Sequence, residues 1–209
     1  MLLTDLAATL TIKHFGVVDY ETTWQAMQVF TAQRAAETND EIWLLQHPPV
    51  YTQGLAGKPE HLLTTPLIPV VKTDRGGQIT YHGPGQILAY VLVDLKRKGI
   101  GVKELVKRIE QSIIDVLQSY GINAERKLGA PGVYVNGAKI AALGLRVKSG
   151  CSYHGLALNV AMDLTPYGAI NPCGYAGMAV TDLATLGVRV SINDVMTALS
   201  QQLVAQLSR

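Results

Sequence analysis

The stretch Gly132-Val-Tyr-Val-Asn-Gly-Ala-Lys-Ile-Ala-Ala-Leu-Gly-Leu-Arg-Val147 decides how this chain is built. Asn136-Gly137 sits between two runs rich in Val, Ile, Leu and Tyr. That dipeptide favours a two-residue hairpin turn, because both positions tolerate positive φ. Strand 132–135 should therefore pair antiparallel with strand 139–147. Further strands are expected at Glu41–Gln46, Ile68–Lys72, Leu88–Leu95 and Leu156–Val160, where β-branched, aliphatic and aromatic residues cluster.

Three segments carry helical signals. Asp19 is a natural N-cap for a helix from Tyr20 to Glu37, with Tyr20, Trp24 and Met27 on one face. From Val102 to Ser119, seven apolar residues (Val102, Leu105, Val106, Ile109, Ile113, Val116, Leu117) form one stripe, and Gly121 fits the stop. Ser191-Ile-Asn-Asp194 resembles a capping box that opens a helix over Asn193–Leu207. Hairpin signals without repeating βαβ units point to an α/β (α+β) fold. Its sheet should be mixed and largely antiparallel, with helices packed on one side.

The 209 residues are 48% hydrophobic and 16% charged, which suits one folded unit over 1–209 and argues against disorder. A formal charge of +2 implies no nucleic-acid footprint. Residues 1–10 lack a signal-peptide pattern, and no apolar run reaches bilayer-spanning length, so a soluble, cytoplasmic monomer is expected. Two cysteines, Cys151 and Cys173, are too few for a disulfide framework, although one bridge between them stays open. Lys96-Arg-Lys98 with Lys103, Lys107 and Arg108 reads as a solvated face, or as a surface for an acidic partner.

Four segments could carry chemistry. Arg75-Gly-Gly-Gln-Ile-Thr-Tyr-His-Gly-Pro-Gly-Gln86 packs four glycines, one proline and several donors into twelve residues. It reads as a loop that lets backbone approach a ligand, or as one that only turns. It is neither a phosphate loop nor a dinucleotide fingerprint. In Asn171-Pro-Cys-Gly174, Pro172 stiffens the chain and Gly174 frees it, so Cys173 is either an exposed nucleophile or a small buried residue. Cys151 lacks such framing and reads as structural. Lys139, just past the hairpin tip, is ordinarily solvated; a catalytic role needs it folded toward Cys173. Ser152-Tyr-His-Gly-Leu-Ala-Leu-Asn159 could line a pocket, and His82 and His154 are alternative bases for a thiol. His14, His47 and His61 have no informative setting. No Cys/His spacing suits a metal.

Together, Arg75–Gln86, Lys139-Ile-Ala-Ala-Leu-Gly144, His154–Asn159 and Asn171–Gly174 resemble the octanoyl-carrier-protein:protein octanoyltransferases, also called lipoate–protein ligase B. The resemblance spans roughly residues 40–185, with departures at Val91 and Asp182. It implies the fold of biotin and lipoate ligase catalytic domains. It implies that Cys173 carries an acyl thioester and that Lys139 lowers that thiol's pKa. Its substrate-binding segments match Arg75, Gly76, Gly77, Gln78, Ile79, Thr80, Tyr81 and His82, then Ala142, Leu143 and Gly144, then Gly155, Leu156 and Ala157. It further implies octanoyl transfer from acyl carrier protein to a lysine of lipoyl domains, in 2-oxoacid dehydrogenases and the glycine cleavage H protein. That is the first step of endogenous protein lipoylation, and it needs neither ATP nor metal. Backbone N–H groups near Cys173 or Gly77 are the candidate oxyanion donors. An ATP-dependent ligase, a cysteine hydrolase and an acyl-binding module are the competing readings.

Overall fold

A computed structural model describes residues 10–64, 67–174 and 177–208, with Cys173 described by its backbone alone. In chain order the elements are β1 (Leu10–Val17), α1 (Tyr20–Ala32), β2 (Asp40–Gln46), β3 (Val50–Gln53), β4 (Val70–Lys72), β5 (Ile79–His82), β6 (Gln86–Leu92), α2 (Val102–Ser119), β7 (Glu125–Arg126), β8 (Gly132–Val135), β9 (Ala138–Lys148), β10 (Cys151–Asn159) and α3 (Ile192–Leu207).

The hairpin forms where expected. Asn136 and Gly137 take φ of 49° and 84°, the left-handed pair that matches the twist of the joined strands β8 and β9. From it grows a seven-stranded sheet in the order β1-β2-β6-β10-β9-β8-β7. Every neighbouring pair is antiparallel except β1 with β2, so the sheet is mixed and largely antiparallel. A second sheet, β4-β3-β5, has three strands.

Helices cover both faces of the large sheet, not one. Successive strand residues point to opposite faces, and here both sets are apolar. Ile42, Leu44, Ala89, Val91 and Leu158 meet the stripes of α2 and α3. Trp43, Leu45, Leu88, Tyr90 and Ala157 meet Met27 of α1. The central strands β6 and β10 are buried at every residue. This is why β6 reads as a near-continuous apolar run and not as alternation.

α2 has the expected limits, and Ile122 N–H donates to the Leu117 carbonyl at 3.0 Å to close its end around Gly121. α1 stops at Ala32, five residues short of Glu37. Thr38 Oγ1 accepts from Ala35 N–H, and the Arg34 side chain turns to Asp40, so local bonds replace the helix ladder. Asp19 caps α1 through Thr22 N–H. At α3, Ser191 Oγ caps Asp194 N–H while the Asp194 carboxylate accepts from the Ser191 hydroxyl. β10 begins at Cys151, five residues ahead of the expected start, and β1, β3, β5 and β7 were not expected.

Half of the basic cluster (Arg97, Lys98 and Arg108) is engaged in ion pairs within the chain. Buried Asp40 accepts from Arg34 and Arg97 and lies 3.3 Å from Lys98, and Arg108 pairs with Glu104. Cys151 is a free, buried cysteine whose thiol burial pushes up, which agrees with a structural role. Among the described residues no helix is long and apolar enough to cross a membrane.

Candidate active site

Two clefts meet at one wall. The first encloses about 490 Å3, open solvent included. It is lined by all fourteen residues of the implied substrate-binding set except Gly76 and Tyr81. Register explains the convergence: Gly155, Leu156 and Ala157 of β10 lie opposite Gly144, Leu143 and Ala142 of β9. Two segments read separately in the sequence thus form one floor. Small residues are required here, since a Cβ on Gly155 would sit 2.0 Å from the Ala89 carbonyl oxygen.

The glycine-rich block is only partly a loop. Its middle, Ile79–His82, is β5, paired antiparallel with β3. Tyr81 does not line the cleft; its ring packs against those of Tyr51 and Tyr167 at 5.5 and 5.7 Å. Gly76 instead lines the second cleft, and its N–H donates to the Leu145 carbonyl at 2.9 Å. Arg75 is buried, and its guanidinium donates to Thr52 Oγ1, the Thr52 carbonyl, the Gln78 carbonyl and its neighbour Gly76. Those donors hold the block in shape.

His82 is fully occupied. Its Nε2 pairs with Thr52 Oγ1 at 3.1 Å and its Nδ1 with Gln86 Oε1 at 2.8 Å. Burial pushes its pKa down to about 3. His47, pushed down by burial to about 4, bridges the Val18 carbonyl and the Tyr90 hydroxyl. Both rings are neutral at pH 7, so the aromatic floor they share with Tyr20 and Tyr90 presents no charge to the cleft.

Sequence reading missed Tyr20, Leu88 and Tyr90, which line this cleft from distant parts of the chain. It also missed Asp74, which accepts from Trp24 Nε1, Gln28 and Tyr153 and lies 2.9 Å from His154 Nε2. These hydrogen bonds hold the Asp74 carboxyl below the usual carboxylate range despite its partial burial. His154 has φ of 59°, an unusual backbone for a non-glycine residue. Nothing in local composition marked these positions; their partners are 46 to 80 residues away.

The second cleft shares Gly77, Gln78, Leu143 and Gly144 with the first and contains Lys139. Lys139 is 4% exposed, which overturns the solvated reading of a hairpin-tip lysine. Its Nζ donates to the Pro131 carbonyl at 3.2 Å and lies 5.1 Å over the Tyr134 ring. Burial has a backbone cause. Lys139 N–H donates to the Ala179 carbonyl and Thr181 N–H to the Lys139 carbonyl, so the chain after Cys173 forms a parallel bridge alongside.

Cys173 falls in a 3-10 turn over Pro172–Gly174; its side chain lies outside the described residues. Gln78 flanks this turn, with Cγ 3.4 Å from where a Cβ on Gly174 would stand. Among the described residues no three His, Cys, Asp or Glu side chains group so as to hold a metal ion.

The sequence matches the model of the lipoyl protein ligase A/B catalytic domain over residues 19–204. The chain belongs to this family. It is 62% identical to a protein named octanoyltransferase of Chromobacterium violaceum, across 94% of this chain and 95% of that one. A protein of the same name from Thiobacillus denitrificans is 63% identical across 93% and 89%. Among solved structures, a putative lipoate protein ligase of Thermoplasma acidophilum superposes with a TM-score of 0.75 at 16% identity, covering 96% of this chain and 85% of that one. A biotin protein ligase of Aquifex aeolicus does so with 0.58 at 12% identity, covering 96% and 70%. The expected biotin/lipoate ligase-like fold of the family is thereby established.

Proposed function

We propose that this chain is an acyltransferase that moves an octanoyl group from acyl carrier protein to a lysine of lipoyl domains, through a thioester on Cys173. One observation carries the reading. The turn that bears Cys173 touches Gln78 on the wall between the two clefts, and the chain beyond it is bonded to the backbone of buried Lys139.

The first cleft suits an alkyl chain, with Leu88, Leu143, Leu156 and Ala157 around it and neutral histidine at its floor. An ordinary thiol is only about 3% thiolate at pH 7. An ammonium about 4 Å away contributes up to about 4 kcal/mol at an effective dielectric of 20, a ceiling near three pKa units. The Lys139 ammonium is therefore sufficient in size to ionise Cys173, even after desolvation takes back part of the gain. The thiolate attacks the carrier thioester, an exchange nearly balanced in energy, so orientation is the main requirement. The acceptor lysine then attacks the acyl-enzyme. ATP has no part, because the thioester is already activated.

A cysteine hydrolase is disfavoured by the histidines: His82 has both ring nitrogens bonded, and His154 Nε2 is held by Asp74. The test is the mass of the intact protein after incubation with octanoyl-acyl carrier protein. One octanoyl group should appear on the wild type and none on Cys173→Ser. A Cys173→Ser variant that turns over normally excludes the covalent route, and pyrophosphate release from ATP and free octanoate would make the chain a ligase.

A further inference from the structure

The first cleft is graded in side-chain size from one end to the other. Its floor crosses three adjacent strands of the large sheet, β9, β10 and β6. Strand register sets two rows across that floor. Gly144, Gly155 and Tyr90 lie side by side in one, and Ala142, Ala157 and Leu88 in the other. All six line the cleft. In both rows β9 and β10 contribute only a hydrogen or a methyl group, and β6 contributes a large side chain. The cleft is therefore roomy over two strands and obstructed over the third.

The roomy end meets the second cleft at Gly77, Gln78, Leu143 and Gly144. The obstructed end is fixed. Leu88 is buried, stands in register with Leu45 of β2 and shares one buried cluster with it. The Tyr90 hydroxyl is held by His47 Nε2 at 2.7 Å, and the other nitrogen of that ring by the Val18 carbonyl at 2.6 Å. Beside them the Tyr20 hydroxyl donates to Thr73 Oγ1 at 3.2 Å, and its ring stacks on His82 at 6.0 Å. Swinging either tyrosine aside to admit a longer guest would break a buried hydrogen bond.

Length agrees with this division. Neighbouring strands stand about 4.8 Å apart, so the floor from β9 to β6 measures about 10 Å. An extended alkyl chain advances about 1.25 Å per C–C bond, so eight carbons span about 9 Å and two more add about 2.5 Å. An eight-carbon chain with its carbonyl at the junction of the clefts ends against β6, and a ten-carbon chain overlaps its side chains.

We propose that Leu88 and Tyr90 are specificity-determining residues that set the length of acyl chain this site accepts, by stopping its methyl end. The proposal rests on the acyl-transfer reading above and adds the residues that select the acyl group. Leu88 is the half of the stop that can be adjusted, because cutting an aliphatic side chain strands no polar partner, whereas removing the Tyr90 ring would orphan His47.

The experiment is a competition. Hexanoyl-, octanoyl- and decanoyl-acyl carrier protein are supplied together in equal amounts, and the mass spectrum of the acylated lipoyl domain gives the product ratio. That ratio reports relative kcat/KM and does not depend on the fraction of enzyme that is folded. Wild type should give chiefly octanoyl product. Leu88→Ala should raise the decanoyl-to-octanoyl ratio about 10-fold or more, the discrimination that a methylene or two carries in an apolar pocket. Leu88→Phe should raise the hexanoyl-to-octanoyl ratio by a similar factor. Leu88→Val should move in the direction of Leu88→Ala by a smaller factor, and it decides the matter if Leu88→Ala does not fold. Ratios within about twofold of wild type in the Ala or Val variant and in the Phe variant overturn the proposal, since a stop must respond to its own size. A wild type that favours decanoyl overturns it as well. A wild type that yields no acylated domain from any donor defeats the acyltransferase reading instead.

Discussion

Acidification should unfold this protein by way of two histidines that serve as neutral building blocks. His47 and His82 are almost fully buried, and burial holds their pKa values at about 4 and about 3 against an ordinary 6.5. The unfolded chain therefore binds their protons more readily than the folded one. Their contribution is complete above pH 6.5 and is lost as pH falls toward the folded values. Each group costs about 1.4 kcal/mol per pH unit across that window. From 6.5 down to about 5 that is about 2 kcal/mol each, or about 4 kcal/mol together. Domains of this kind have about 5–15 kcal/mol in total, so the loss is a large fraction. His154, also lowered by burial, acts in the same direction. Asp74 does not oppose it, because a depressed carboxylate loses its contribution only below its ordinary value of 3.8. Urea denaturation between about pH 7.5 and 5 reads the effect as a falling midpoint at constant slope. His47→Gln should be less stable at the upper end, having lost ring bonds to Val18 and Tyr90, yet lose only about half as much on acidification. A midpoint that does not move over this range, or a His47→Gln variant as acid-sensitive as the wild type, refutes the reasoning.

Asp40→Ala should destabilise by about 3–5 kcal/mol in the same denaturation, because it strands Arg34, Arg97 and Lys98 around a buried site. Gly155→Ala should cost about 3 kcal/mol and displace the cleft wall, since its Cβ meets the backbone oxygen of Ala89 on a neighbouring central strand and neither strand can retreat; unchanged stability would show that the sheet yields there.

Much of this protein is determined locally and is therefore legible in its sequence. Asn136-Gly137 needs only its own backbone to turn, and the stripe from Val102 to Leu117 needs only helical periodicity to choose a face. The glycine-rich block and the Cys173 turn announce themselves through residue types that backbone geometry restricts. What stayed hidden depends on partners far along the chain. Strands β3 and β5 exist because each pairs with the other, and neither has a pattern strong enough alone. The covering of both faces of the sheet could not be read from uniformly apolar strands, which look the same whichever helix meets them. Lys139 shows the limit most plainly: a charged residue after a hairpin tip belongs in water by every local rule. Only the tertiary structure buries it, because the chain beyond Cys173 returns to bond its backbone and Tyr134 and Pro131 receive its ammonium. Sequence named the chemistry through residue types, and long-range pairing alone decided which of those residues stand together.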